Sequence, residues 1–383
     1  MNLPRRAVCL AGLAAPWAAM DSAAQARAAP LNAAGLSAIH SALAAAVAQG
    51  RMPGAVVHVE RAGVSHTLAV GHKAWLPTLE PLTPSTVFDA ASLTKVVATT
   101  PVVLQRVEAG ALALDTPVKA LIPAFSSGDD VTVRQLLTHT SGLPAGLPLS
   151  PAWAGMESAI DLACNRVATH PPGTFFRYSD LNFILLGEIA SRVAGKPLNQ
   201  LALDGVFAPL GMKDTGYLPL QQHGAARIAP TEIVNQQALR GQVHDPTARR
   251  MGGVAGHAGM FTTVADLARY VRMLLAGGVH EGRVLLRPAS VQGMTQVATA
   301  PNMAEKRGLG MDMQSPFSRA RGKLFGSASF GHTGFTGCAL WADPASGGFY
   351  VMLSNRVHPH GGHSVADVYE QVATAAAQAV GVG

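Results

Sequence analysis

The sequence predicts an α+β fold: both ends of the chain meet in one antiparallel sheet flanked by N- and C-terminal helices, with a mainly helical region inserted between them. Three observations carry this. Near the start, apolar residues at helical spacing (36–49) precede two strand-like runs, 54–60 and 65–71, joined by Arg61-Ala62-Gly63. Near the end, strand-like runs at 329–331, 338–342 and 349–354 are separated by Gly and Asp-Pro turns, and 364–380 closes the chain with helical spacing. Between them, segments 133–138, 181–193 and 265–275 have helix-forming patterns and end at Ser141-Gly142, Gly195 and Gly277-Gly278. The sheet region is therefore expected over 30–90 and 300–383 and the helical region over 91–299, with an active site between the two.

The chain has 383 residues, 48% of them hydrophobic, enough to bury a full core. Charged residues make up only 14%, and the net charge of +6 is scattered without any block of like charge. Nucleic acid is therefore not an expected partner. Forty glycines and 25 prolines imply many turns, without a periodic tract.

The first residues differ from the rest. Arg5 and Arg6 precede an apolar run at 7–20, and the small-residue stretch Ala24-Gln25-Ala26-Arg27-Ala28-Ala29 follows. This reads as a signal peptide over 1–28, giving an exported protein, periplasmic or secreted. The arginine pair fits a twin-arginine signal loosely, so the export route stays open. The run is shorter than the roughly 20 residues a spanning helix needs, so no stable membrane span is expected after signal removal. Of the three cysteines, Cys9 falls in the signal. An exported protein could pair Cys164 with Cys338, but two buried free thiols is the reading preferred here.

A polar, proline-marked loop (77–84) leads to Phe88-Asp89-Ala90-Ala91-Ser92, and 93–108 has helix-forming composition ending at Gly110. Ser92 therefore sits at a helix N-terminus. Lys95, one of only seven lysines, follows three residues later, on the same helix face. A serine hydroxyl needs a base within reach to act as a nucleophile, and a lysine amine serves if burial or a cationic neighbour keeps it neutral. The serine N–H at the helix start can face a developing oxyanion. Alone, a Ser-x-x-Lys match arises about once by chance in a chain of this size.

Two further stretches, Phe176-Arg177-Tyr178-Ser179-Asp180-Leu181-Asn182 and Phe330-Gly331-His332-Thr333-Gly334-Phe335, occur in order and at domain-scale separation. With Ser92 and Lys95 they resemble the serine beta-lactamase and penicillin-binding protein superfamily, nearest to its class C, DD-peptidase and esterase-like branch. The motifs of that branch run Ser-x-x-Lys, Tyr-x-Asn and Lys/His-Thr-Gly. The resemblance also takes in Leu136-Leu137-Thr138-His139-Thr140-Ser141-Gly142-Leu143, Val243-His244-Asp245 and Gly252-Gly253-Val254-Ala255-Gly256-His257-Ala258-Gly259.

That resemblance implies a beta-lactamase/transpeptidase-like fold. It makes Ser92 the nucleophile, Lys95 its activating amine and Tyr178 the phenol that shuttles a proton to the leaving group, its phenolate favoured by the cations Lys95 and His332. Asp180, His332, Thr333, Gly334 and Phe335 become substrate-binding. In this picture Gly334 lets a substrate backbone approach, and the Phe335 N–H completes the oxyanion hole. Two departures bear on substrate. Histidine at 332 replaces a permanent cation, and aspartate at 180 replaces an amide that could donate to a substrate carbonyl.

The expected function is thus a serine hydrolase working through an acyl-enzyme on small-molecule esters or peptides. A DD-carboxypeptidase or beta-lactamase is the alternative, and a penicillin-binding or sensor module without turnover is a second one. No cofactor or metal is expected, and the protein is read as a monomer. His358, His360 and His363 are read as a loop, and 252–259 as a tight turn beside the cleft. No Gly-x-Ser-x-Gly or His-Glu-x-x-His pattern supports another hydrolase route.

Overall fold

A computed structural model describes residues 29–128 and 130–383. The signal peptide read over 1–28, with Cys9, lies outside the described residues. Asn32 caps the first helix, α1 (Ala33–Ala48), its side-chain oxygen accepting from the Ala34 N–H at 2.8 Å. The chain then enters β1 (Gly54–Arg61) and turns into β2 (Val64–Ala74), followed by the short β3 (Glu80–Pro81). The remaining strands come from the other end of the chain: β4 (Lys306–Arg307), β5 (Asp312–Gln314), β6 (Phe330–Gly334), β7 (Cys338–Asp343) and β8 (Gly348–Ser354). They form one eight-stranded sheet in the order β4-β5-β6-β7-β8-β1-β2-β3, with antiparallel pairs throughout.

The expected α+β class therefore holds, with the first and last segments side by side: Val57 lies opposite Met352 across β1 and β8. The sequence reading missed β4 and β5, and read as a loop the stretch that holds β3; these strands are two or three residues long, too short for a period-2 pattern to register.

Strand β1 shows why the sheet is covered on both faces. Its residues alternate between two cores: Ala55, Val57 and Val59 belong to one, while Val56 joins the other. The first is roofed by α1 and the last helix, α5 (Ala366–Ala379). The second faces the helical region, which contains α2 (Thr100–Glu108), α3 (Asp180–Ala194) and α4 (Val264–Leu275). Buried charge crosses this second seam. Glu60 on β1 accepts from Arg272 of α4 through both oxygens, at 2.6 Å each, and lies 3.0 Å from His58 Nε2.

The helical region also holds a small antiparallel sheet, in which Met260–Thr262 is flanked by Phe88–Asp89 and Gly216–Tyr217. It ties the segment before Ser92 to the glycine-rich stretch. Cys164 and Cys338 are both buried free thiols, as read from the sequence, and burial pushes them up to about 11 and about 12. Among the described residues no helix is long and apolar enough to cross a membrane.

Candidate active site

The segment expected as one helix over 93–108 begins instead with a wide π-helical turn at Lys95–Thr99 before α2. Pro101 is the physical reason: it has no N–H to donate back to the carbonyl four residues earlier. Other donors cap the widened turn. Thr100 Oγ1 donates to the Lys95 carbonyl at 2.8 Å and Tyr270 to that of Val96 at 2.5 Å. The turn presents Lys95 Nζ to Ser92 Oγ at 2.9 Å, and Ser92 lies just before it, as the spacing suggested.

The loop carrying Ser92 is held from three sides. Ala91 adopts φ +46°, a strained left-handed conformation for a residue with a Cβ. Buried Asp89 stabilises it, accepting from the Ala91 N–H at 2.8 Å and the His244 N–H at 2.7 Å. Thr94 Oγ1 donates to the Ala91 carbonyl at 2.6 Å, and the Ala90 N–H donates to Met260 O. On the third side stands β6. A Cβ on Gly334 would lie 2.6 Å from the Ala90 carbonyl, so glycine there lets the strand close onto the nucleophile's loop.

Lys95 is fully buried and donates to three acceptors: Ser92 Oγ, the His257 carbonyl at 3.0 Å and Asp180 Oδ1 at 2.7 Å. An ammonium has three N–H bonds, so each is satisfied. Burial, the largest single influence, would drive the amine toward neutrality, but Asp180 and Tyr178 together outweigh it, and Lys95 is held above the usual lysine range. The neutral amine wanted for an activating base is therefore not the resting form.

Asp180 lines the cavity, as expected of a substrate-facing residue, but one of its oxygens is bonded to Lys95. It opens α3, where a carboxylate also suits the helix dipole. The stretch 139–145 cradles Tyr178 and Asp180. The Ser179 N–H donates to His139 Nδ1 at 3.1 Å, Ser179 Oγ to Pro144 O at 2.6 Å, and the Asp180 N–H to Ala145 O at 2.7 Å. The Tyr178 ring packs against His139 with centroids 4.5 Å apart and planes tilted by 32°, and its centroid is 5.0 Å from Lys95 Nζ.

The cations around Tyr178 are not the two read from the sequence. His332 is buried and held well below the ordinary histidine range by burial, with Arg307 and Lys95 adding repulsion. It is neutral at pH 7, and its Nδ1 donates to Thr333 O at 2.8 Å. The second cation is Arg307, fully buried, with its guanidinium 6.0 Å from the Tyr178 ring and 3.4 Å from Asp312.

Asp180, Asp245 and His257 bring ligand-type atoms within 4.8 Å of one another, an arrangement that can hold a metal ion. Lys95 already places a cation against Asp180, and His257 Nε2 sits 2.9 Å from Asp245 Oδ1. Although burial raises Asp245, the neighbouring His257 pulls it far below the usual carboxylate range.

These groups line a cavity of about 430 Å³ with Ser92 in its wall and Thr333, Phe317 and the exposed Phe335 at its edge. Among the described residues, neither the Ser92 nor the Phe335 backbone N–H has a protein acceptor. The glycine-rich loop packs against the cavity through His257 and Ala258. A Cβ on Gly256 would lie 2.0 Å from Phe183 O, which explains the glycine at that point. His358, read as part of a loop with His360 and His363, is buried. Its Nδ1 contacts Thr231 O at 2.8 Å, and its Nε2 accepts from the Trp75 and Leu76 N–H groups.

Sequence reasoning did not single out His139, Asp245, His257 or Arg307 as site residues. The first three stand in stretches that had already drawn notice, Leu136 to Leu143 and Val243 to Gly259. Arg307 sits in a two-residue strand with no motif around it.

A model of the family described as Beta-lactamase matches residues 39–375. The chain is a member of that family. A protein of Escherichia coli (strain K12) named "Putative D-alanyl-D-alanine carboxypeptidase" is 30% identical over 307 residues, covering 72% of this chain and 70% of the relative. Among solved structures, a penicillin-binding protein homologue from Caulobacter crescentus superposes with a TM-score of 0.73 at 23% identity, covering 92% of this chain and 99% of the other. EstCE1, described as a hydrolase with promiscuous acyltransferase activity, superposes with a TM-score of 0.70 at 22% identity, covering 89% and 98%. The fold and the family expected from the three motifs are thus those of the chain.

Proposed function

We propose that the protein is an exported serine hydrolase in which Ser92 forms a covalent acyl-enzyme on an ester or peptide substrate, which water then hydrolyses. The observation that carries this reading is the 2.9 Å contact between Lys95 Nζ and Ser92 Oγ in the wall of the cavity. As Ser92 Oγ bonds to the substrate carbonyl carbon, its O–H bond breaks and the proton passes to the Lys95–Tyr178 pair, while the carbonyl π electrons move to oxygen. The free N–H groups of Ser92 and Phe335 receive that oxyanion. As the tetrahedral intermediate collapses, the bond to the leaving group breaks and Tyr178 returns the proton to it. Water repeats the sequence on the acyl carbon and releases Ser92.

Esters fit the site better than lactams or acyl-D-alanyl peptides. Neutral His332 offers a substrate carboxylate no cation, and Asp180 has no amide N–H to donate. Esters need neither, and their leaving group departs more readily. The name of the Escherichia coli relative supports the rival reading, cleavage of D-alanyl peptides. The test is a turnover assay over three substrates. Short-chain p-nitrophenyl esters are expected to turn over many times. A chromogenic cephalosporin is expected to react at least about a hundredfold less efficiently, a gap of roughly 2.7 kcal/mol, and a D-alanyl-D-alanine peptide to fall between. Equal efficiency on ester and cephalosporin contradicts the substrate assignment. One acylation without release on every substrate makes the protein a binding module.

A further inference from the structure

We infer that the alcohol part of an ester substrate passes between the rings of Phe317 and Phe335 into a second cavity beyond them, so that the site takes esters of bulky apolar alcohols. This deepens the acyl-enzyme reading above and rests on it. A second cavity of about 430 Å³ adjoins the one that holds Ser92, and Phe317, Thr333 and Phe335 line both. The passage from one to the other is thus bordered by two aromatic rings and one residue of β6. Three phenylalanines are exposed among the described residues, and two of them, Phe317 at 47% and Phe335 at 61%, stand at this opening. Paired exposed rings at the mouth of a cavity are an apolar binding surface.

Both rings are held where they stand. Phe317 packs against Tyr178 with centroids 5.2 Å apart. Its N–H donates to Ser315 Oγ at 3.1 Å, and Ser315 Oγ donates to Asp312 Oδ2 at 2.8 Å. Phe335 directly follows β6. The His244 ring lies 5.6 Å from it at an interplanar angle of 20°, and the Arg356 guanidinium is 4.6 Å from its centroid. An opening whose walls are already fixed binds a chain without the cost of ordering them.

The direction follows from Tyr178. The residue that returns the proton stands on the leaving-group side, and Phe317 is packed on its ring. The alcohol oxygen therefore departs beside Phe317, with the rest of the alcohol directed through the opening. In the second cavity Arg319 is paired with Glu370 at 3.3 Å, and Arg356 donates to His363 O at 3.0 Å besides lying against Phe335. Both cations have partners within the protein, so the cavity makes no demand for an anionic group. A chain entering it gains from burying its methylenes against the rings.

Two ester series separate the two sides of the scissile bond, with kcat/KM measured by pH-stat titration. Along n-alkyl acetates from ethyl to octyl the alcohols differ little in acidity, so a trend reports binding and not leaving-group strength. Wild-type efficiency is expected to rise along this series by about twofold to fourfold for each added methylene, and to rise far less along ethyl esters from acetate to octanoate. Phe317→Ala and Phe335→Ala each flatten the alcohol series, whereas Phe335→Leu, which keeps an apolar side chain, retains most of the slope. A carboxylate at the end of the octyl chain brings no further gain; a gain there would assign the second cavity to an anion and overturn the inference. So would a flat alcohol series, a rise confined to the acyl series, or a slope that survives both alanine variants, while a fluorophosphonate adduct on Ser92 leaves the acyl-enzyme reading standing. Absence of both that adduct and esterase activity in the wild type overturns both.

Discussion

The protein buries two clusters of opposite charge, and they differ in what they touch. At the seam between sheet and helices, Glu60 is gripped by Arg272 through both oxygens and flanked by His58, whose other ring nitrogen lies 2.7 Å from Thr67 Oγ1, and none of these residues lines the cavity that holds Ser92. At the cavity, Lys95 is gripped by Asp180, yet it also donates to a serine hydroxyl in the cavity wall. Both clusters shift the acidity of a buried group, so burial with pairing does not by itself mark an active site. The difference lies in the neighbours: one charge ends on its partners, the other on a reactive oxygen with a strained backbone beside it.

The sharpest way to break the comparison is to remove the first charge. The Glu60 carboxyl is lowered from 4.5 to about 2, because His58 and Arg272 outweigh the burial that would raise it. A lowered carboxylate adds stability above its unfolded value and loses it as pH falls from about 4.5 to about 2. The shift is worth up to about 3 kcal/mol, and partial exposure of Arg272 reduces this to roughly 2 to 3 kcal/mol. Glu60→Gln should therefore lose about that much in urea unfolding at pH 7 while ester hydrolysis per folded molecule stays unchanged. The difference from the wild type should fade between pH 5 and pH 2. A fall in turnover equal to that of a site variant would erase the distinction between the clusters.

An effect of comparable size is expected on the other side. Gly334→Ala places a methyl 2.6 Å from the Ala90 carbonyl, so either β6 or the loop carrying Ser92 must move. A displacement of about 1 Å at a catalytic group costs on the order of a hundredfold in rate. The expected outcome is a hundredfold drop in kcat on a p-nitrophenyl ester with KM changed much less. Unchanged kcat would mean that the contact between β6 and the nucleophile's loop is not what positions Ser92.

The comparison also shows what sequence could reveal. Ser92 and Lys95 were legible because they lie one helical turn apart, and Tyr178 and His332 because each sits in a short motif. The inner strands of the sheet, β1, β2 and β6 to β8, and its flanking helices α1 and α5 were legible from periodicity. The charge state of the site was not, because it depends on contacts across long separations. Lys95 meets Asp180 from another helix, the His257 carbonyl comes from a loop 162 residues on, and Arg307 arrives from a strand too short to show a pattern. The neutrality of His332 likewise follows from burial beside Arg307 and Lys95, which no local motif records.

The central claim, that Ser92 is the nucleophile of an acyl-transfer reaction, is tested most directly by mass spectrometry of the intact protein and its peptides after brief exposure to a fluorophosphonate. The account predicts one adduct, on the peptide containing Ser92, formed in step with loss of esterase activity. It also predicts that Ser92→Ala neither takes up label nor retains more than about one part in ten thousand of the wild-type kcat. An adduct elsewhere, together with an active Ser92→Ala, would contradict it.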